Sequence, residues 1–133
     1  PIRSKRNESG RQQRHDVVME AKKKIGFKNM SAEQRPHMGA LIQDAGVDWL
    51  KARSAEYGFS FEDKNVRCGG YFQHKLFKGK NTQPITFSTL EFGGILSVTD
   101  PETFIDKCLF KGIGPAKGFG CGLMLVKRIC RNS

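Results

Sequence analysis

The chain has 133 residues, 38% of them apolar, and a mean hydropathy of −0.50, which suits one domain built on a single core. Against 13 Asp and Glu stand 23 Lys and Arg, a net charge of +10, so nucleic acid is the expected partner class. No stretch approaches the roughly 18 consecutive apolar residues of a membrane helix, and no apolar segment backs the basic N-terminus as in a secretory signal, which points to the cytoplasm and away from a membrane.

Residues 1–36 form a basic lead-in. Arg3, Lys5, Arg6, Arg11, Arg14, Lys22, Lys23, Lys24 and Lys28 meet only Glu8, Asp16 and Glu20 before residue 31. The stretch reads either as a solvated tail or as an RNA-contacting arm. Within it, Asn7-Glu8-Ser9-Gly10 predicts a mobile loop, and Asp16-Val17-Val18-Met19 a short strand. Ser31, followed three residues later by Gln34, has the spacing of a capping box.

A helix is predicted from His37 to Tyr57. Met38, Leu41, Ile42, Ala45, Trp49 and Leu50 recur at intervals of three and four and so share one face, which places Trp49 in the core; Gly58 is a natural stop. From Phe59 the period becomes two. Phe59, Phe61, Val66, Cys68, Tyr71 and Leu76 predict a strand with one irregular step near Asp63 or Gly69-Gly70. A second strand region covers Ile85 to Val98, and the basic segment 73–82 between the two is a hairpin tip turning at Gly79 and Asn81. Asp100-Pro101-Glu102 has the chemistry of a helix start, with Phe104, Ile105, Cys108 and Leu109 as its buried face and Gly112 as its end. Alternation from Phe119 to Ile129 predicts a last strand.

With a first strand near Pro1, this order is βαββαβ: an α+β, ferredoxin-like (RNA-recognition-like) fold, its antiparallel sheet covered by two helices on one face. Residues 37–133 then make up the folded domain. That topology serves binding proteins and enzymes alike, so function must come from the site.

The most specific segment is Gly112-Ile113-Gly114-Pro115-Ala116-Lys117-Gly118-Phe119-Gly120-Cys121-Gly122-Leu123. It follows a helix and leads into a strand, the reverse of a dinucleotide fingerprint, and lacks the Gly-Lys-Ser/Thr of a phosphate loop. Either it is a tight turn, or its amides and Lys117 meet phosphate oxygens. This run resembles the C-terminal glycine-rich loop of the RAMP superfamily, and more narrowly that of the CasE-type, type I-E CRISPR repeat-processing endoribonucleases, G-I-G-x-A-K-x-x-G-C-G-L. Pro1-Ile2-Arg3 is similar to the end of the strand that opens that family's second domain, and the likeness covers nearly the whole chain.

The resemblance implies two ferredoxin-like domains in tandem, of which this sequence holds the second. A chain beginning at Pro1 then reads as a piece of a longer protein, with its own N-terminal domain as one partner. It further implies metal-independent cleavage of CRISPR repeat RNA at the base of a stem-loop, retention of the product, and assembly with other Cascade subunits. The family's catalytic Tyr and His lie in the first domain, so this chain alone is expected to be inactive, with no catalytic residue, metal or cofactor assigned to it.

The residues themselves agree with binding better than with cleavage. Cys68, Cys108, Cys121 and Cys130 form no C-x-x-C pair and read as reduced thiols. His15, His37 and His74 have no evident partner in sequence and read as surface histidines; an enzyme using His15 or His74 is the third alternative. Stem-loops are read through shape and phosphates. The expected RNA-binding residues are therefore Lys75, Lys78 and Lys80 on the hairpin, Arg67, the arm residues Arg3, Lys5, Arg6, Arg11 and Arg14, and Gly112, Gly114, Lys117, Gly118 and Gly120 of the loop. Tyr71, Phe72 and Phe77 are candidates for base stacking, with core packing the expected fate of at least two of them. A docking domain for Cascade subunits, working through apolar residues such as Phe77 or Ile129, is the second alternative.

Overall fold

The computed structural model describes residues 2–6 and 12–130, with side chains from Asp16 onward. Helices and antiparallel strands are mixed, as the α+β class requires. In chain order come β1 (Ile2–Arg6), β2 (Gln12–Asp16), α1 (Val17–Lys24), α2 (Met38–Ser54), β3 (Phe59–Ser60), β4 (Val66–Leu76), β5 (Ile85–Gly94), β6 (Ser97–Val98) and α3 (Pro101–Thr103). Among the described residues the strands pair as three antiparallel two-stranded ladders, β1–β2, β3–β6 and β4–β5. The loop predicted at residues 7–10 lies outside the described residues.

The strand expected over residues 16–19 is instead the start of α1. The Asp16 carboxylate accepts from the amides of Val18 (2.9 Å) and Met19 (3.4 Å), satisfying donors that a helix start leaves open. Val17 and Val18, which read as strand residues by their branching, are buried in the shared core. Lys22, Lys23 and Lys24 sit in the last turn, where cations complement the helix dipole.

The longer helix follows its sequence signal closely. Ser31 and Gln34 close a turn, Gln34 N–H donating to the Ser31 carbonyl at 3.0 Å, rather than capping a helix. The cap is His37, whose Nδ1 accepts from Gly39 N–H at 3.1 Å. Val47, Trp49 and Leu50 of α2 are buried with Val17, Val18, Phe59, Val66, Phe104, Cys108 and Ile113. The Gln43 side chain clamps α2 to β4: its Nε2 donates to the Val66 carbonyl at 2.7 Å, and its Oε1 accepts from Cys68 N–H at 2.6 Å. The carboxamide thereby occupies the place a neighbouring strand would take on that edge.

β4 carries the irregular step expected near Gly69-Gly70. Gly69 pairs with Glu91 and Phe72 with Thr89, so Gly70 and Tyr71 together oppose Leu90 alone. Gly70 has φ +60°, a conformation open to glycine at little cost. The extra residue shifts the alternation by one position: Val66 and Cys68 face the core before the bulge, Tyr71 after it.

Tyr71 is held by this arrangement. Its hydroxyl donates to Asp16 Oδ2 at 2.5 Å, tying the ribbon to the start of α1. Burial, then the bond to Asp16, push the phenol from 10.0 up to about 12. Because the folded chain holds the proton more tightly than the unfolded one, this contribution is complete below about pH 10 and is lost as pH rises through about 12. Tyr71→Phe is expected to lower stability by about 1–2 kcal/mol at pH 8. It should also lose less stability than the parent between pH 10 and 12, read by urea unfolding at each pH.

α3 begins as expected, with Asp100 accepting from Thr103 N–H and Pro101 in the first turn. It continues over Phe104–Phe110 as a wider π-helical turn, so Phe104 and Cys108 point inward while Ile105, expected in the buried face, is exposed. The strand predicted from Phe119 to Ile129 is not one. Lys117–Phe119 is a 3-10 turn, and Gly120 and Gly122 have φ of +83° and +84°, which breaks the strand conformation. Met124 still reaches inward, with Cys108 Sγ 3.5 Å from its sulfur, but residues 123–130 join no ladder among the described residues.

Candidate nucleic-acid interface

Beyond the bulge, the β4–β5 ribbon extends past the core and ends in the turn between Leu76 and Ile85. Lys75, Lys78 and Lys80 are all exposed there, and the Lys75 ammonium lies 5.6 Å from the centre of the Phe77 ring. Ion pairs of the described residues are Lys24–Glu20, Lys51–Asp63 and Lys64–Glu62, so the ribbon lysines are outside them. Arg67 is also exposed, opposite Gly93 near the base of the ribbon, on the face turned away from the core. By register Lys75 belongs to the other face, so these cations flank the ribbon rather than lining one side.

Arg3, Lys5 and Arg6 lie on β1 and Arg14 on β2, a separate hairpin that leads directly into α1; Arg11 lies outside the described residues. The glycine-rich segment divides in two. Gly112 rests against the Gly122 carbonyl and Gly114 against the Trp49 ring, where an added Cβ would sit 3.0 Å from two ring carbons. Ile113 N–H donates to the Gly122 carbonyl at 2.9 Å and closes this inner half. Gly118 and Gly120 face open space, and Lys117 beside them is exposed. Only the outer half has room for a ligand.

The aromatic residues sort differently from the expectation. Tyr71 packs on the core, whereas Phe72 and Phe77 are 62% and 70% exposed. His74, which has no partner legible in sequence, lies between two rings: 4.8 Å from Phe72 and 4.8 Å from Phe87, nearly parallel to the latter. Its Nε2 is 2.9 Å from the Thr89 hydroxyl. Phe119, arriving from the glycine-rich segment, stacks on Phe87 at 5.1 Å. Alternation alone missed this row, because the bulge decides which face Phe72 and His74 occupy.

A depression lined by Gln43, Asp44, Val47, Asp48, Asp63 and Lys64 sets three carboxylates against one ammonium, the wrong sign for phosphate. No helix among the described residues is long and apolar enough to cross a membrane. The buried thiols are unreactive by surroundings: burial pushes Cys68 up to about 11 and raises Cys108 as well.

These features define an α+β protein that presents a cationic β-ribbon beside a glycine-rich turn. The chain belongs to the CRISPR associated protein family, whose model matches residues 1–128. No curated protein and no solved structure matches it.

Proposed function

We propose that the chain is the RNA-gripping half of a type I-E, CasE-like CRISPR repeat endoribonuclease of ferredoxin-like fold. In this reading it acts in the cytoplasm, holds the repeat stem-loop for metal-independent cleavage and keeps the product within Cascade. The observation that carries the reading is the projecting ribbon with Lys75, Lys78 and Lys80 exposed around its tip. A-form RNA has a deep, narrow major groove lined by phosphates, which a two-stranded ribbon with cations on both faces fits better than a flat surface would. The exposed Lys117 and the open backbone at Gly118 and Gly120 supply a second place for phosphate to bind. Arg67 and the arm residues add to the field that draws the RNA in.

The test is binding of a cognate repeat hairpin across a salt series. Lys75→Ala, Lys78→Ala and Lys80→Ala together are expected to flatten the slope of log affinity against log salt by about one unit for each phosphate left without its lysine. Binding that does not respond to salt, or an unchanged slope in the triple variant, overturns the reading.

A second reading is docking to neighbouring Cascade subunits, favoured by the exposure of Phe77, Phe110, Leu125 and Ile129. Under it, Phe77→Ser and Ile129→Ser abolish co-assembly while the lysine variants leave it intact.

A further inference from the structure

The row Phe72–His74–Phe87–Phe119 is unexplained by a ribbon that grips only a duplex. In that role a ribbon needs cations and a narrow profile, not rings on its face. Four rings lie in sequence on the side of β4–β5 turned away from the core: Phe72 against His74, His74 against Phe87, Phe87 against Phe119. The inner members are partly covered, and both end rings are open, Phe119 being 50% exposed. His74 cannot rotate freely, since Thr89 holds its Nε2 and two rings flank it. The row is thus pre-ordered before any ligand arrives, which lowers the entropic cost of adding another flat group.

Charge narrows the occupant. Arg67 is on the same face by register, and Lys117 is two residues from Phe119. Glu91, opposite Gly69, is the carboxylate the two strands place on that face, and it lies beside Gly70, between Arg67 and Phe72 in the register. Rings with Lys117 near one end and Arg67 farther along the same face suit a ligand that is flat, aromatic and joined to anions. An unpaired nucleotide has this make-up; a paired one hides its faces within the helical stack.

We infer that this row is a stacking platform for unpaired nucleobases, engaging the single-stranded RNA that flanks the stem-loop. The inference rests on the RNA-gripping reading and extends it to a second part of the same ligand. Bases would continue the row from Phe72 or Phe119, while Arg67 and Lys117 meet their phosphates. Stacking tolerates any base, so the platform adds affinity without adding sequence preference.

The test compares two RNAs, the repeat hairpin alone and the same hairpin with unpaired nucleotides at both ends, the latter carrying 2-aminopurine. The flanked RNA is expected to bind about tenfold more tightly, with its fluorescence quenched on binding. Phe72→Ala and Phe119→Ala should each remove most of that gain, Phe72→Tyr should keep it, and Phe72→Leu should not. Both side chains are open to solvent, so these variants fold. Equal affinity for the two RNAs, with the hairpin still bound in a salt-dependent way, overturns the platform and leaves the ribbon reading standing. Full retention of the gain in Phe72→Leu also overturns it, and points to a protein on this face. If neither RNA binds, both readings fall together.

Discussion

Trp49→Ala is expected to cost about 3–5 kcal/mol of folding free energy. The indole is 6% exposed, stacks on Phe92 at 6.0 Å and carries the Arg53 guanidinium 4.2 Å over its ring. It is also the floor on which Gly114 rests. Removing it leaves a cavity between α2 and β5 and takes away the support of the glycine-rich segment. Urea unfolding followed by far-UV circular dichroism measures the first effect. Trypsin cleavage after Lys117 measures the second and should become faster. A loss under about 1 kcal/mol with unchanged cleavage would mean that the segment does not depend on the ring.

Gly122→Ala should cost about 2–4 kcal/mol, because two penalties coincide. Its φ of +84° is strained for any residue with a Cβ, and the added carbon would run into the Ile113 carbonyl oxygen. Relief requires moving the turn and lengthening the 2.9 Å bond from Ile113 N–H to the Gly122 carbonyl. Gly118→Ala is the control: its φ is ordinary, an added Cβ there meets open space, and stability should stay within about 0.5 kcal/mol of the parent. If the two variants unfold alike, the inner half of the segment is not locked as described.

Much of the fold was legible because it rests on local rules. The period of α2, the turn chemistry of the ribbon and the Asp100-Pro101 start each state their element without reference to the rest of the chain. What failed depended on distant partners. Val17 and Val18 suit a strand or a buried helix equally, and the Asp16 cap decides between them, strengthened by Tyr71, which lies 55 positions away. The alternation after Phe119 fixes faces but cannot supply a neighbouring edge, and the positive φ angles at Gly120 and Gly122 forbid one at its start.

The candidate site was half readable for the same reason. Exposed lysines at a turn follow from composition and turn residues alone. The aromatic row does not, since it joins residues from β4, β5 and the glycine-rich segment. A histidine with no apparent partner in sequence turned out to be the centre of that row. The signal that could have found it was the pair Gly69-Gly70: a bulge there reverses the phase of everything downstream.

The bulge has a further consequence for how the ribbon can change. A hairpin in strict alternation must carry one pattern from base to tip, so any alteration to the exposed rings is constrained by the residues that pack on α2. One surplus glycine splices two patterns out of step, anchoring the proximal half to Gln43 of α2 while the distal half varies on its own terms. Excising Gly70 should therefore do more than loosen a turn. It would leave Tyr71 alone opposite Leu90 and Phe72 and His74 on their present side, while removing the added local twist that aims the outer ribbon.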